Sequence, residues 1–134
     1  GTSCFDTLPG IPGVETLLPL VHHEGVVRRG MRLSEIARML SYNPAKLFGL
    51  YPRKGTITPG ADADVVIFDP NLRKTITSDS QHSKAGYTPY EGMTVQGYPT
   101  TVLVRGKVVY DNGTFLGAQG SGRFIASKGR LSRG

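Results

Sequence analysis

Gly60-Ala61-Asp62-Ala63-Asp64-Val65-Val66-Ile67-Phe68-Asp69-Pro70 is the stretch on which the fold turns. Val65 to Phe68 is continuously apolar and mostly β-branched, with Asp62 and Asp64 before it and Asp69-Pro70 after it. A short run of this kind, bounded by turn formers, predicts a strand buried on both faces and ended at Asp69-Pro70. Further along, Lys74-Thr75-Ile76-Thr77 alternates as an edge or half-buried strand does. Thr101-Val102-Leu103-Val104 and Val108-Val109-Tyr110 flank Arg105-Gly106-Lys107, which predicts a hairpin. Asp111-Asn112-Gly113 is another turn signal, with Thr114-Phe115 continuing after it.

On the N-terminal side of Gly55 the periodicity is helical. Leu8-Pro9-Gly10-Ile11-Pro12-Gly13 cannot be regular structure, because its prolines lack donors and its glycines favour turns. Val14, Leu17, Leu18 and Val21 then fall on one apolar stripe. Pro19 requires either that this helix starts near Thr16 or that it kinks, and Gly25 is a reasonable stop. A second helix has Ser34 as cap and Leu33, Ile36, Ala37 and Leu40 as its buried stripe. Asn43-Pro44 opens a third, short helix that ends at Gly49. Helices this short need something larger to pack on. Residues 117–134 have little apolar periodicity and read as an extended tail, or one that docks on another subunit.

At 134 residues the chain has the mass of one domain or the pieces of two. Its 18 glycines and 9 prolines are a fifth of the residues, against about 12% ordinarily, which disfavours a plain helical bundle. No apolar run is long enough for a membrane span, and no signal peptide is visible. A single cysteine, Cys4, excludes an internal disulfide framework and suits a reducing, cytoplasmic setting. The formal net charge of +6 is spread along the chain without interleaved aromatics, so a solvated surface is expected and nucleic acid is not.

Residue types capable of chemistry are present but not assembled. His22 and His23 are adjacent on a predicted helix, so their side chains diverge by about 100° and do not readily chelate one ion. His82 lies far away in a polar loop; all three read as helix-surface or loop histidines. Cys4 has no neighbouring base. Gly117 to Gly122 resembles a phosphate loop in glycine content alone. Asp62 and Asp64 share one strand face, as a metal or acid–base pair does, and also as ordinary strand-entry acids do. Glu15 precedes a helix and suits its dipole. Composition and spacing alone thus describe an α/β segment without a complete catalytic constellation.

The order of the motifs adds more. Pro12-Gly13-Val14-Glu15-Thr16-Leu17-Leu18-Pro19-Leu20 resembles the last barrel loop and helix of cyclic amidohydrolases. Asn43-Pro44-Ala45-Lys46-Leu47-Phe48-Gly49-Leu50-Tyr51-Pro52-Arg53-Lys54-Gly55 resembles the dihydropyrimidinase and D-hydantoinase branch in particular. Gly60 to Pro70 is similar to the strand returning the chain to that superfamily's β-sandwich. Tyr90-Glu91-Gly92-Met93, Val104 to Tyr110 and Gly120-Ser121-Gly122-Arg123-Phe124 continue the likeness, which runs from about Pro9 to Ile125.

This resemblance implies the C-terminal end of a (β/α)₈ barrel in residues 1–54, the C-terminal share of a β-sandwich in 55–116, and a tail in 117–134 reaching toward another subunit of a homotetramer. It implies hydrolytic opening of a small cyclic amide, a dihydropyrimidine or hydantoin, by two zinc ions. The family's metal ligands lie upstream of this stretch; His22, His23 and His82 do not match them, and Asp6 is too close to the Pro-Gly-Val-Glu motif to be the metal-site aspartate. No catalytic or metal residue is therefore carried over, and the chain alone is expected to be inactive. The resemblance implies substrate binding at Pro9 and Gly10, where the family's loop touches the ring through main-chain groups. Many hydantoinases have Asn where Pro9 stands, and proline has no N–H to donate, so ring recognition can differ here. The Gln81-His82-Ser83 stretch is expected to pack the sandwich on the barrel. The family also contains non-catalytic tetrameric scaffold proteins, which is the alternative; a free-standing β-domain binding acidic partners is the remaining one.

Overall fold

The structure is a computed structural model, and it describes residues 10–127. A helical N-terminal part packs on a four-stranded antiparallel sheet in which sequence neighbours are spatial neighbours, β1-β2-β3-β4.

Helix α1 spans Leu17–His22. Thr16 is its N-cap position, so Pro19 lies in the first turn, where its missing N–H has no partner to lose. The helix starts at this point and does not kink. It runs on through a π-helical turn, His23–Val27, past the stop predicted at Gly25. Gly25 is buried inside the run: a Cβ there stands 3.0 Å from Met31 Sδ and 3.2 Å from Ile36 Cδ1. The end comes at Gly30, whose N–H reaches Val26 O.

Helix α2, Leu33–Ala37, is capped by Glu35, not Ser34: Arg32 N donates to Glu35 Oε2 at 2.8 Å. A π-helical turn, Arg38–Tyr42, joins it directly to α3, Asn43–Leu47. Asn43-Pro44 therefore opens no separate helix. The wider π turn ahead of Pro44 accommodates a residue that has no N–H and a ring that crowds the preceding turn. Gly49 does end α3 as predicted. Its N–H reaches Lys46 O and that of Leu50 reaches Ala45 O, a Schellman closure around a glycine at φ +66°.

Strand β1, Val65–Thr75, joins the two strands predicted separately. Asp69-Pro70 bulges the strand without ending it: Asp69 pairs with Tyr98 but Arg73 with Gln96, and Asp69 Oδ1 accepts the N–H groups of Asn71 and Leu72. Strand β2, Thr94–Val104, pairs along all of β1. Strands β3, Lys107–Asp111, and β4, Thr114–Phe115, follow through two-residue turns at Arg105-Gly106 and Asn112-Gly113. All four turn residues have positive φ, as tight hairpins require.

The core lies between α1 and the β1–β2 pair: Ile76, Val95 and Tyr98 are buried, with Leu20, Leu72, Tyr90 and Met93 against them. The apolar centre of β1 is not buried on both faces. β1 is an edge strand, and Val66 and Ile67 are 47% and 53% exposed, because nothing among the described residues covers them. Val14 (96% exposed), Leu17 and Leu33 on the helix stripes are likewise open. No helix among the described residues is long and apolar enough to cross a membrane.

Candidate functional site

The loop preceding α1 and the loop after β1 meet. Glu15 extends both carboxylate oxygens to His82: Oε2 accepts the His82 backbone N–H at 2.9 Å, and Oε1 lies 2.8 Å from Nδ1. An ionised carboxylate only accepts, so Nδ1 carries the proton. Glu15 thus serves as a bracket for the 81–88 loop and does not attend the dipole of α1, since it stands before the Thr16 cap. The other side of the His82 ring faces Phe115 and Tyr110, with centroids at 5.9 and 6.4 Å. Tyr87 Oη donates to Gly10 O at 2.6 Å. Glu15, His82 and Tyr87 line a cavity of about 380 Å³, together with Pro12, Gly13, Val14 and Thr16 from the first loop and Gln81, Ser83 and Thr88 from the second.

Gly10 is exposed, at φ +84°. Pro9, its expected companion in substrate binding, lies outside the described residues, as do Cys4 and Asp6. Tyr87 carries no motif of its own, and sequence reading passes it by; its position in a polar loop gives no signal.

The adjacent histidines of the α1 run have a different role from the one predicted. His22 is buried, 1% exposed, and its Nδ1 lies 2.8 Å from Gln96 O. His23 Nδ1 accepts the Gln96 N–H at 3.2 Å. The divergence of neighbouring helical side chains, which makes joint chelation awkward, lets the pair grip both main-chain groups of one residue of β2. A carbonyl can only accept, so His22 Nδ1 carries the proton and His23 Nδ1 does not. The His22 ring meets Phe68 edge-on at 4.9 Å and its Nε2 has no hydrogen-bond partner. It fits only because residue 97 is glycine.

Asp62 and Asp64 converge as one strand face predicts, on a cation and not on an ion site. Lys54 Nζ lies 2.9 Å from Asp62 Oδ2 and also bonds Asp64, while Arg53 Nε holds Asp62 at 3.0 Å. The Lys54 hydrogen bond, with Arg53 behind it, keeps the Asp62 carboxyl below the usual range against its desolvation. Burial pushes Asp64 up, but Lys54 and the Arg105 N–H together bring it below its ordinary value. Lys54 is drawn down by burial and raised beyond that by the two carboxylates. Ion-paired acids of this kind anchor the entry of β1.

Among the described residues, no group of three or more His, Cys, Asp or Glu side chains gathers where one ion could be held. His22 and His23 are committed to Gln96, His82 to Glu15, and Asp62 and Asp64 to Lys54. The described donors therefore do not fit a zinc centre. The glycine-rich 117–122 stretch shows no phosphate-loop geometry; Arg105 Nη2 donates to Ser121 O at 2.6 Å and ties it to the β2–β3 turn.

A family model described as "Amidohydrolase family" matches residues 4–109. The chain belongs to the amidohydrolase family. It is 41% identical to a D-hydantoinase of Rhizobium radiobacter over 92% of its length, and covers 27% of that protein. It is 42% identical to human dihydropyrimidinase-related protein 5, again over 92% of its length and 22% of the relative. Among solved structures, the L-hydantoinase (dihydropyrimidinase) of Arthrobacter aurescens superposes with a TM-score of 0.85 at 37% identity, covering 91% of this chain and 27% of that one. The chain thus spans about a quarter of the length of the relatives it matches.

Proposed function

We propose that this chain is the C-terminal section of a cytoplasmic, homotetrameric cyclic amidohydrolase that opens a dihydropyrimidine or hydantoin ring with two zinc ions. In this reading residues 1–54 end a (β/α)₈ barrel, residues 55–116 form the C-terminal share of a β-sandwich, and residues 117–134 reach toward a neighbouring subunit. The observation that carries it is the unbroken likeness to hydantoinases across nine-tenths of the chain, in sequence and in fold. The open apolar surface supports it as well. A cleft of about 1070 Å³, lined by Val14, Leu17, Leu18, Phe48, Ile57 and Val66 among others, offers the kind of face that buries against further structure.

Pro9 and Gly10 are the proposed ring-contacting positions. The exposure of Gly10 and its lack of a side chain support close approach by a ligand. The zinc ligands are assigned in this reading to parts of the protein outside residues 10–127, which is supported by the engagement of His22, His23, His82, Asp62 and Asp64 with partners in this chain. The test is ring opening of hydantoin and dihydrouracil by the full-length protein loaded with zinc, beside the 134-residue chain alone. Turnover by the full-length protein and none by the short chain is expected. A full-length protein that binds no zinc and opens neither ring would instead favour the non-catalytic scaffold reading, which the likeness to dihydropyrimidinase-related protein 5 keeps in view.

A further inference from the structure

Among the described residues, Gly10 is held in place by a hydrogen bond and not by packing. A Cβ built on it meets nothing within 4 Å, and its φ is +84°. Glycine occupies both signs of φ with comparable ease, so an unpacked peptide group after such a glycine turns over readily. The contact that stops it comes from far along the chain: Tyr87 Oη donates to Gly10 O at 2.6 Å. A few residues away, Glu15 holds His82 by its backbone N–H and its Nδ1. That second fastening keeps the 81–88 loop against the 10–16 loop independently of the tyrosine hydroxyl.

We propose that Tyr87 is a positioning residue whose hydroxyl sets the direction of the Gly10–Ile11 peptide group, and thereby the affinity of the proteins's ring-contacting loop for its cyclic amide. This rests on the reading of Gly10 as a ring-contacting position. A peptide group already turned toward the ligand loses no freedom on binding, whereas one that flips presents the correct face for only part of the time. Tyr87 touches no substrate; it acts through Gly10.

Tyr87→Phe removes the hydroxyl, keeps the ring, and leaves the Glu15–His82 fastening intact, so folding is preserved. In the full-length zinc-loaded protein it should raise KM for hydantoin or dihydrouracil about tenfold, the worth of one hydrogen bond, with kcat changed by less than about twofold. The 15N-relaxation order parameter of the Ile11 amide, whose N–H belongs to the same peptide group, should fall in the variant while the melting temperature stays put. An unchanged order parameter at Ile11 overturns the fastening. A lowered one with unchanged KM overturns its link to substrate. A wild-type protein that opens neither ring defeats the functional reading and the substrate half of the proposal with it, while the relaxation measurement still decides whether Tyr87 fixes the loop.

Discussion

Replacing Gly97 by alanine probes the joint between helix and sheet. Gly97 sits in β2 at φ +94°, and a Cβ there comes within 2.7 Å of His22 Cγ and 2.5 Å of Cε1, and closer still to Nδ1. The imidazole has nowhere to retreat, because it is 1% exposed and braced by Phe68. The backbone strain of a non-glycine residue at this φ costs about 1–2 kcal/mol. Displacing the ring breaks its bond to Gln96 O and strands buried polar groups, for about 1–3 kcal/mol more. The sum, about 2–5 kcal/mol, is a large part of the about 5–15 kcal/mol that holds an ordinary domain together. Urea unfolding of the full-length protein should show the midpoint falling accordingly. The decisive comparison is the double variant. With His22→Ala already made, Gly97→Ala should cost only the backbone part, a coupling of about 1–3 kcal/mol. If the two substitutions prove additive, the close approach of His22 to the Gly97 backbone is not what constrains this position.

Two other perturbations follow from the same geometry. Gly55→Ala brings a Cβ to 2.5 Å from Ala45 Cβ and 2.8 Å from Ser41 O at φ +80°, so a loss of about 2–4 kcal/mol is expected in the same unfolding assay. The Lys54–Asp62–Asp64 cluster makes stability depend on pH in two windows. Asp62 and Asp64 are held below their ordinary values, so their contribution is present above about pH 4 and fades as pH drops through their lowered values. Lys54 is raised, so its contribution is present below about pH 10.5 and fades as pH climbs through its raised value. Lys54→Met should flatten melting temperature against pH at both ends; a profile still as steep as that of the wild type would show that the cluster does not supply the dependence.

Much of the sheet is legible because its turns are local. Arg105-Gly106 and Asn112-Gly113 are two-residue turns whose φ values demand glycine or a tolerant neighbour, and the β2–β3 and β3–β4 registers follow from them. The length of β2 is not legible: only Thr101 to Val104 is predicted, yet the strand starts at Thr94 and takes in Gly97 and Pro99, opposite a bulged partner that relaxes the demand for a regular ladder. Asp69-Pro70 misleads in the same way. In the helical part, Gly49 reads correctly because a Schellman closure needs only its own last turn. Gly25 misleads because the reason for a glycine there is the approach of Met31 and Ile36, which no local pattern carries.

The candidate site divides along the same line. Glu15, Gly10 and His82 can be singled out from the sequence, but their partners cannot. Glu15 and His82 are 67 residues apart, and Gly10 and Tyr87 are 77 apart. Even the sense of the His22-His23 pair reverses between the two levels, from surface histidines to a buried grip on Gln96.

By itself the sequence determined the change from helix to strand at Gly55, the hairpins, the close of α3 and the family, because turn chemistry and motif order are properties of neighbouring residues. Only the tertiary structure decided which face of α1 is buried, that Lys54 occupies the two aspartates, and that Tyr87 holds Gly10. Each of these depends on groups brought together by packing, and packing energy is a property of surfaces that meet, not of the stretch of chain that carries them.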